Sequence, residues 1–424
     1  MNNMFDIFKE RGFIKQCSNE KTLRKIFSKE KVTGYIGFDP TAESFHAGSL
    51  IPIMALAWME RMGHRPIVIM GGGTALLGDP SGKNEARKLM SPEQIKFNMK
   101  NLKKELRRYL HLSKDRTQIL NNVSWLSKMK YIPFMREVGV HFKLNVMIKA
   151  ESCNKRLKSN KGMPFNEFSY PLLQAFDFLH LYKNYNCILQ MGGSDQWGNI
   201  TDGLDLIKRK VRGQAYCITF PLLEIDGKKA GQSEKDTKIW LNPEKTSPYE
   251  FYQFWINTKD DEVDAFLRLF TFLQIDEIRE LTKGSGAELN RAKRVLAYEV
   301  TRLAHGKRAA EVVRNLSKGL FSSKKLNLSG IIKYSNPITI EIPMNDFEKG
   351  IWPADLLKRS GLVHGTGAGR KIIMSGGAYI NRKRIKDVNE KISTNMLDKN
   401  GLLLLQKGKK DFIIVKAINE PDKN

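Results

Sequence analysis

Cysteine is scarce in this chain: there are 4 in 424 residues, Cys17, Cys153, Cys187 and Cys217, and no two stand as Cys-x-x-Cys. That spacing indicates neither a zinc knuckle nor a disulfide framework, and a reducing compartment is the simplest reading. The longest apolar run, Leu50 to Trp58, falls far short of the roughly 20 residues that a spanning helix needs. Met1 to Gly12 carries Asp6 and Glu10 where a secretory leader would be apolar. These absences point to a soluble cytoplasmic protein without membrane attachment, or to an organellar one lacking its transit peptide. No internal repeat or low-complexity tract is visible. Acidic residues are also few, 45 Asp plus Glu against 71 Lys plus Arg, which leaves a net charge of +26. An excess of that size calls for a polyanionic partner, nucleic acid first and an anionic membrane second. The basic residues recur along the whole chain, with Lys103, Lys104, Arg107 and Arg108 in one stretch and Lys208, Arg209, Lys210 and Arg212 in another. That spread suits a large ligand surface better than one membrane patch.

The length implies two or three domains. Thr33 to Asp39 and Arg65 to Gly71 read as short buried strands. Between them lies a helical pattern with Ile51, Met54, Ala55, Trp58 and Met62 on one face, which together make a βαβ unit. Further strands near Thr117 to Leu120, Cys187 to Met191 and Ala215 to Phe220 alternate with helices. The expected fold is therefore α/β, a doubly wound parallel sheet of Rossmann type over residues 1–225, with ligands at the carboxyl ends of its strands. Residues 226–246 read as a loop, 247–325 as a helical domain, and 326–348 as a linker. Residues 349–424 read as a small α+β basic module, with 16 Lys plus Arg against 7 Asp plus Glu.

Three clusters carry chemistry. In the run Leu189 to Asn199 an apolar strand ends on Gly192 and Gly193 and then presents Asp195 and Gln196. The glycines let a flat ligand approach the backbone, and the polar pair can bond sugar hydroxyls. In Gly37 to Ser49 a strand end turns through Asp39, Pro40 and Thr41 into the start of a helix at His46. Unpaired N–H groups there favour a phosphate, with Thr41 and His46 as added donors and Gly48 leaving room for a base. In the basic module Gly365, Gly367 and Gly369 feed Arg370 and Lys371, ahead of a hairpin spanning Ala378 to Lys386 that carries Arg382 and Lys383. Glycine turns running into cationic helix starts suit phosphate contacts.

His46-Ala47-Gly48-Ser49 resembles the HIGH motif of class I aminoacyl-tRNA synthetases. The bacterial-type tyrosyl branch fits best. Gly37-Phe38-Asp39-Pro40-Thr41, then Phe168-Ser169-Tyr170 with Gln174 and Asp177, and then Gly192 to Asn199 follow that family in order and spacing. The C-terminal module resembles the family's S4 RNA-binding domain through Ala368-Gly369-Arg370-Lys371 and Gly377 to Asn381. The resemblance covers nearly the whole chain. It implies ATP-dependent joining of tyrosine to tRNA(Tyr), with Mg2+ accompanying ATP and no resident metal or cofactor. By position it implies that Tyr170, Gln174 and Asp79 hold the tyrosine ammonium. Tyr35 and Asp177 would hold the phenolic hydroxyl, with Gln190 also in the tyrosine site. Gly37, Asp39, His46, Gly48, Ser49, Gly193, Asp195 and Gln196 would form the ATP side. Arg370, Lys371, Arg382 and Lys383 would contact RNA. It further implies a homodimer, with the segment around Phe165 near the twofold axis. Lys155, Arg156, Lys158 and Lys161 would either contact the acceptor arm or form a solvated loop.

Two departures stand out. The family's mobile KMSKS loop aligns with Lys229-Ala230-Gly231-Gln232-Ser233, so glutamine replaces the second lysine. Thr41, His46, Lys229, Gln232 and Ser233 are the catalytic candidates. Ser49 stands where HIGH has its second histidine. Two functions therefore remain open: an active tyrosine–tRNA ligase, and a weakened relative that acts mainly by binding structured RNA. Tryptophan specificity on the same fold is disfavoured by Tyr35 with Asp177.

Overall fold

The computed structural model describes residues 3–79, 90–149, 153–154, 162–225, 228–229, 238–317, 328–408 and 411–419. The first compact unit comprises Met1–Asn242 with Lys259–Ala292, and the second comprises Pro243–Thr258 with Lys293–Asn424.

The first unit is built on six strands: β1 Gln16–Cys17, β2 Thr33–Phe38, β3 Arg65–Met70, β4 Gln118–Asn121, β5 Cys187–Gly193 and β6 Tyr216–Phe220. Their spatial order is β1-β6-β5-β2-β3-β4. All neighbours from β6 across to β4 pair in parallel, and the edge strand β1 runs antiparallel to β6. The strands are short and almost fully apolar because helices cover both faces. One of these, Leu50–Arg61, buries nine of its residues, so it has no polar face at all. Its Pro52 sits in the first turn, where a missing N–H costs no helical bond. The helix Phe165–Tyr185 lays Leu172, Ala175, Phe178 and Leu179 into one core with Tyr35, Ile67 and Ile69 from β2 and β3. From β2 the chain winds outward through β3 to β4, then returns to the other side of β2 as β5. A crevice opens where the winding reverses, at the carboxyl ends of β2 and β5, and that is where open sheets of this kind bind ligands.

The stretch 247–325, expected as one helical domain, divides between the two units. The helices Val263–Phe270 and Ile275–Thr282 belong to the first. A buried cation holds this region: the guanidinium of Arg11 donates to the carbonyls of Arg268, Thr271 and Leu273 and lies 4.0 Å from the Trp58 ring centre. The stretch expected as a linker, 326–348, carries regular elements among its described residues. Leu328–Ser335 is a helix, and Thr339–Pro343 is a strand.

Two further short strands, β7 Glu224–Ile225 and β8 Lys228–Lys229, form a two-stranded ribbon. In the second unit β9 Thr339–Pro343 pairs in parallel with β13 Asp411–Ile418. The sheet continues through β12 Leu402–Lys407 to the hairpin of β10 Ala378–Ile380 and β11 Lys383–Arg384. Alternation along β12 explains its two cores. Leu403 and Leu405 face the helices Pro353–Arg359 and Thr366–Met374, whereas Leu402 and Leu404 face Leu316, Leu328 and Ile331. The basic module thus shares a core with part of the helical region.

Candidate active site

A cavity of about 280 Å³ opens in the crevice of the first unit. Its border contains Tyr35, Gly37, Asp39, Thr41, His46, Gly48, Ser49, Asp79, Tyr170, Gln174, Asp177, Gln190, Gly193, Asp195 and Gln196, residues that lie as much as 161 positions apart in sequence (Tyr35 to Gln196). Four of them are aspartates, and no Lys or Arg is among the described residues at the border.

One end of the cavity is a closed polar pocket. Tyr35 and Gln190 are cross-strand partners in β2 and β5, each 2 % exposed. The Tyr35 hydroxyl and Gln190 Oε1 are buried without a hydrogen-bond partner. Leaving such atoms unpaired costs about 1–3 kcal/mol each, so a pair of them in one pocket marks a place where a polar ligand group completes the bonding. Burial, with Asp177 nearby, holds the Tyr35 phenol well above its usual range, so it remains a donor. Asp177 itself accepts from Trp125 Nε1 at 2.7 Å and from Asn122 Nδ2 at 2.9 Å. Desolvation raises its carboxyl to about 7 despite those two bonds.

Asn122 extends this pocket into a network. Its Oδ1 accepts from the Gly73 N–H at 2.8 Å, and its Nδ2 also reaches Thr74 Oγ1 at 3.1 Å. The Thr74 hydroxyl donates to Asp39 Oδ1 at 2.7 Å, and the Tyr170 hydroxyl donates to Asp39 Oδ2 at 3.0 Å. Burial and the neighbouring Asp39 and Asp79 keep the Tyr170 phenol protonated, with its ionisation pushed well above the ordinary range. A chain of bonds therefore runs from Asp177 to Tyr170. Close approach of these side chains to the Gly71 backbone makes it possible: a Cβ on Gly71 would collide with Asp39 Oδ1 and Thr74 Oγ1. Thr74, Asn122 and Trp125 were not picked out from the sequence. The triplet Gly71-Gly72-Gly73 at a strand end was the available signal for Thr74. Nothing local marks Asn122 or Trp125, which reach the pocket only because β4 lies beside β3.

The mouth of the cavity is set by the helix start. His46 Nδ1 accepts the Gly48 N–H at 3.1 Å, which leaves the ring proton on Nε2 as a donor. The backbone around His46 is tied to the far side of the 226–237 segment: Ala47 N donates to Ile239 O at 2.8 Å, and Leu241 N donates to Phe45 O at 2.9 Å. The Trp240 ring lies 6.3 Å from the His46 ring, edge to face. On the near side the segment begins from the β7–β8 ribbon. The far end of the expected catalytic loop is thus anchored in the first unit. The Lys229 side chain, Gln232 and Ser233 lie outside the described residues, as do Lys155, Arg156, Lys158 and Lys161.

Residues 28–322 match the model of the class I tRNA synthetases for tryptophan and tyrosine. The chain belongs to that family. It is 44% identical to the tyrosine–tRNA ligase of Clostridium botulinum (strain Loch Maree / Type A3) over 97% of this chain and 98% of the relative. With the tyrosine–tRNA ligase of Desulfatibacillum aliphaticivorans it shares 45% identity over 97% of each chain. A C-terminally truncated mitochondrial tyrosyl-tRNA synthetase of Aspergillus nidulans superposes with a TM-score of 0.68 at 30% identity, covering 75% of this chain and 94% of that one. The synthetase's second unit carries the four basic residues singled out in the C-terminal module. Arg370 and Lys371 are exposed on the helix Thr366–Met374, whose N-cap, Gly365, offers no side-chain acceptor. Lys383 is exposed in β11, and Arg382 occupies the hairpin tip with φ 73. Among the described residues no helix is long and apolar enough to cross a membrane.

Proposed function

We propose that this synthetase activates L-tyrosine with ATP and transfers the tyrosyl group to tRNA(Tyr). The observation that carries the tyrosine reading is the pair of unpartnered polar atoms, Tyr35 Oη and Gln190 Oε1, set beside the Asp177 carboxyl at the closed end of the cavity. A phenolic hydroxyl donates to Asp177 and accepts from Tyr35. An indole brings only a donor and leaves the Tyr35 hydroxyl unsatisfied.

Asp79, the Tyr170 hydroxyl and Gln174 receive the ammonium, and Gln190 lines the side-chain pocket. The tyrosine carboxylate then attacks the α-phosphorus of ATP, an oxygen–phosphorus bond forms as pyrophosphate leaves, and tyrosyl-adenylate results. Asp39, Gly37, Gly193, Asp195 and Gln196 hold the adenosine, with Gly48 and Ser49 beneath it. In the second step a terminal hydroxyl of the tRNA attacks the acyl carbon and AMP departs. No enzyme nucleophile is required, so catalysis consists of alignment and of charge stabilisation on the phosphates. Thr41 and His46 Nε2–H supply neutral donors. The described border offers no Lys or Arg, so the remaining positive charge comes from the Mg2+ that accompanies ATP and from the loop holding Lys229, Gln232 and Ser233. Arg370, Lys371, Arg382 and Lys383 bind tRNA phosphates from the second unit, which acts as an S4-type module. The exposed apolar side chains of Tyr131, Ile132, Val140, Leu144, Val146 and Phe165 support a homodimer. The enzyme works where translation occurs, in the cytoplasm.

Gln232 and Ser49 favour a second reading, an RNA-binding relative with weakened activation chemistry. Tyrosine-dependent exchange of pyrophosphate into ATP separates the two. Exchange supports the ligase, and its absence in protein that still binds RNA supports the alternative.

A further inference from the structure

Asn199 lies in the first turn of the helix Trp197–Val211, between two glutamines of the cavity. Its Nδ2 donates to Gln174 Oε1 at 3.1 Å and to Gln196 Oε1 at 3.3 Å. Gln196 Nε2 in turn donates to Asp79 Oδ2 at 3.2 Å. A row of side-chain amides can run in either of two directions, because each amide has a donor end and an acceptor end of nearly equal size. A carboxylate only accepts. Asp79 therefore fixes the direction of the row: Gln196 must turn its NH2 to Asp79 and its oxygen to Asn199. Asn199 must then offer NH2, and Gln174 must answer with its oxygen. A carbonyl oxygen has a second lone pair, so Gln174 keeps an acceptor at the cavity wall. In the reversed direction Gln174 would present an NH2 there, which repels a cation.

We propose that Asn199 is a positioning residue for amino-acid recognition, relaying the acceptor polarity of Asp79 through Gln196 to Gln174 and so selecting substrates that carry an α-ammonium group. This rests on the reading of the cavity as a tyrosine site. Asn199 is partly exposed, so its replacement leaves the core of the first unit untouched.

The test compares L-tyrosine with 3-(4-hydroxyphenyl)propionate, which has the phenol and carboxylate but no amine, by calorimetry on the full-length protein. In Asn199→Leu the preference for tyrosine should fall by about tenfold or more, the scale of one hydrogen bond to a charged group, while the desamino ligand keeps its affinity. Asn199→Ser, too short to reach both glutamines, should behave alike. In a Gln174→Leu background Asn199→Leu should remove no further preference, because its effect is carried by Gln174. An equal loss of both ligands, or an undiminished preference in both variants, overturns the proposal. If the unaltered protein binds neither ligand, the tyrosine reading fails, and the proposal falls with it.

Discussion

Replacing Tyr35 by Phe should move stability and binding in opposite directions. In the ligand-free protein the Tyr35 hydroxyl is buried and has no hydrogen-bond partner. A buried orphan of this kind costs about 1–3 kcal/mol, so deleting the oxygen should leave the fold as stable as before or more stable by up to that amount. The ring itself is preserved, and its packing against Phe178, 5.4 Å between centres, is unaffected. With tyrosine bound the energy balance reverses, because the hydroxyl then finds its partner in the ligand phenol. The variant forfeits a bond that the unaltered protein gains only on binding, and about 1–3 kcal/mol corresponds to roughly 5- to 150-fold in affinity. Phenylalanine, having no hydroxyl, should bind the variant no worse than it binds the parent, so discrimination between the two amino acids should narrow by the same factor. Denaturant unfolding without ligand, tyrosine calorimetry and the ratio of tyrosine- to phenylalanine-dependent pyrophosphate exchange read the three quantities. A loss of more than about 1 kcal/mol in stability with unchanged tyrosine affinity would refute the reasoning, since the hydroxyl would then be bonded within the fold.

Three further outcomes follow from the same geometry. Asp177 has a folded-state pKa raised from 3.8 to about 7; the folded protein therefore holds a proton that the unfolded chain has released, and this group's contribution to stability is complete below pH 4 and is lost as pH rises through 7. The full loss is on the order of 4 kcal/mol at 1.36 kcal/mol per pH unit. A phenol donor favours the ionised carboxylate, so tyrosine affinity should rise from pH 5.5 to pH 7.5 with proton release on binding, and a flat or falling profile in parent protein alongside Asp177→Asn would contradict it. Gln232→Lys should speed the activation step by up to about two to three decades, the usual worth of one preorganised donor at a developing charge; an unchanged burst rate would mean that another cation already fills that place. Arg382 holds a left-handed backbone, φ 73, next to Asn381 at φ 47, so Arg382→Gly should relieve up to about 1 kcal/mol of strain while weakening tRNA binding and flattening its salt dependence by nearly one unit of slope. Lower stability with unaltered tRNA binding would make Arg382 a structural residue.

The sequence carried the strands and their ends well, because short apolar runs closed by glycine, aspartate or proline have few other readings. The winding reversal between β2 and β5 brings Asp39 and Asp195 to one cavity, and both were legible as polar residues just beyond such runs. Asn122 and Trp125 were not, since their importance arises from a lateral neighbour, Asp177, 55 and 52 residues away. The strand Thr339–Pro343 was hidden in a stretch of mixed composition. It alternates over only five residues, and its pairing with β13 depends on chain far downstream. The division of the helical region was equally hidden, because Arg11 reads as one more surface cation, although it is 3 % exposed and bonded to three carbonyls some 260 residues on. Charge density pointed to a polyanionic partner, yet the cavity itself is lined with aspartates, so net charge said little about the cavity.

The most direct measurement is calorimetric titration of the ligand-free protein with L-tyrosine and with a non-hydrolysable tyrosyl-adenylate analogue, repeated on Asp177→Ala. Saturable 1:1 binding of tyrosine, tighter binding of the analogue, and loss of both in the variant are the expected results. Absence of binding by either ligand, or binding indifferent to Asp177, would contradict the assignment of this cavity.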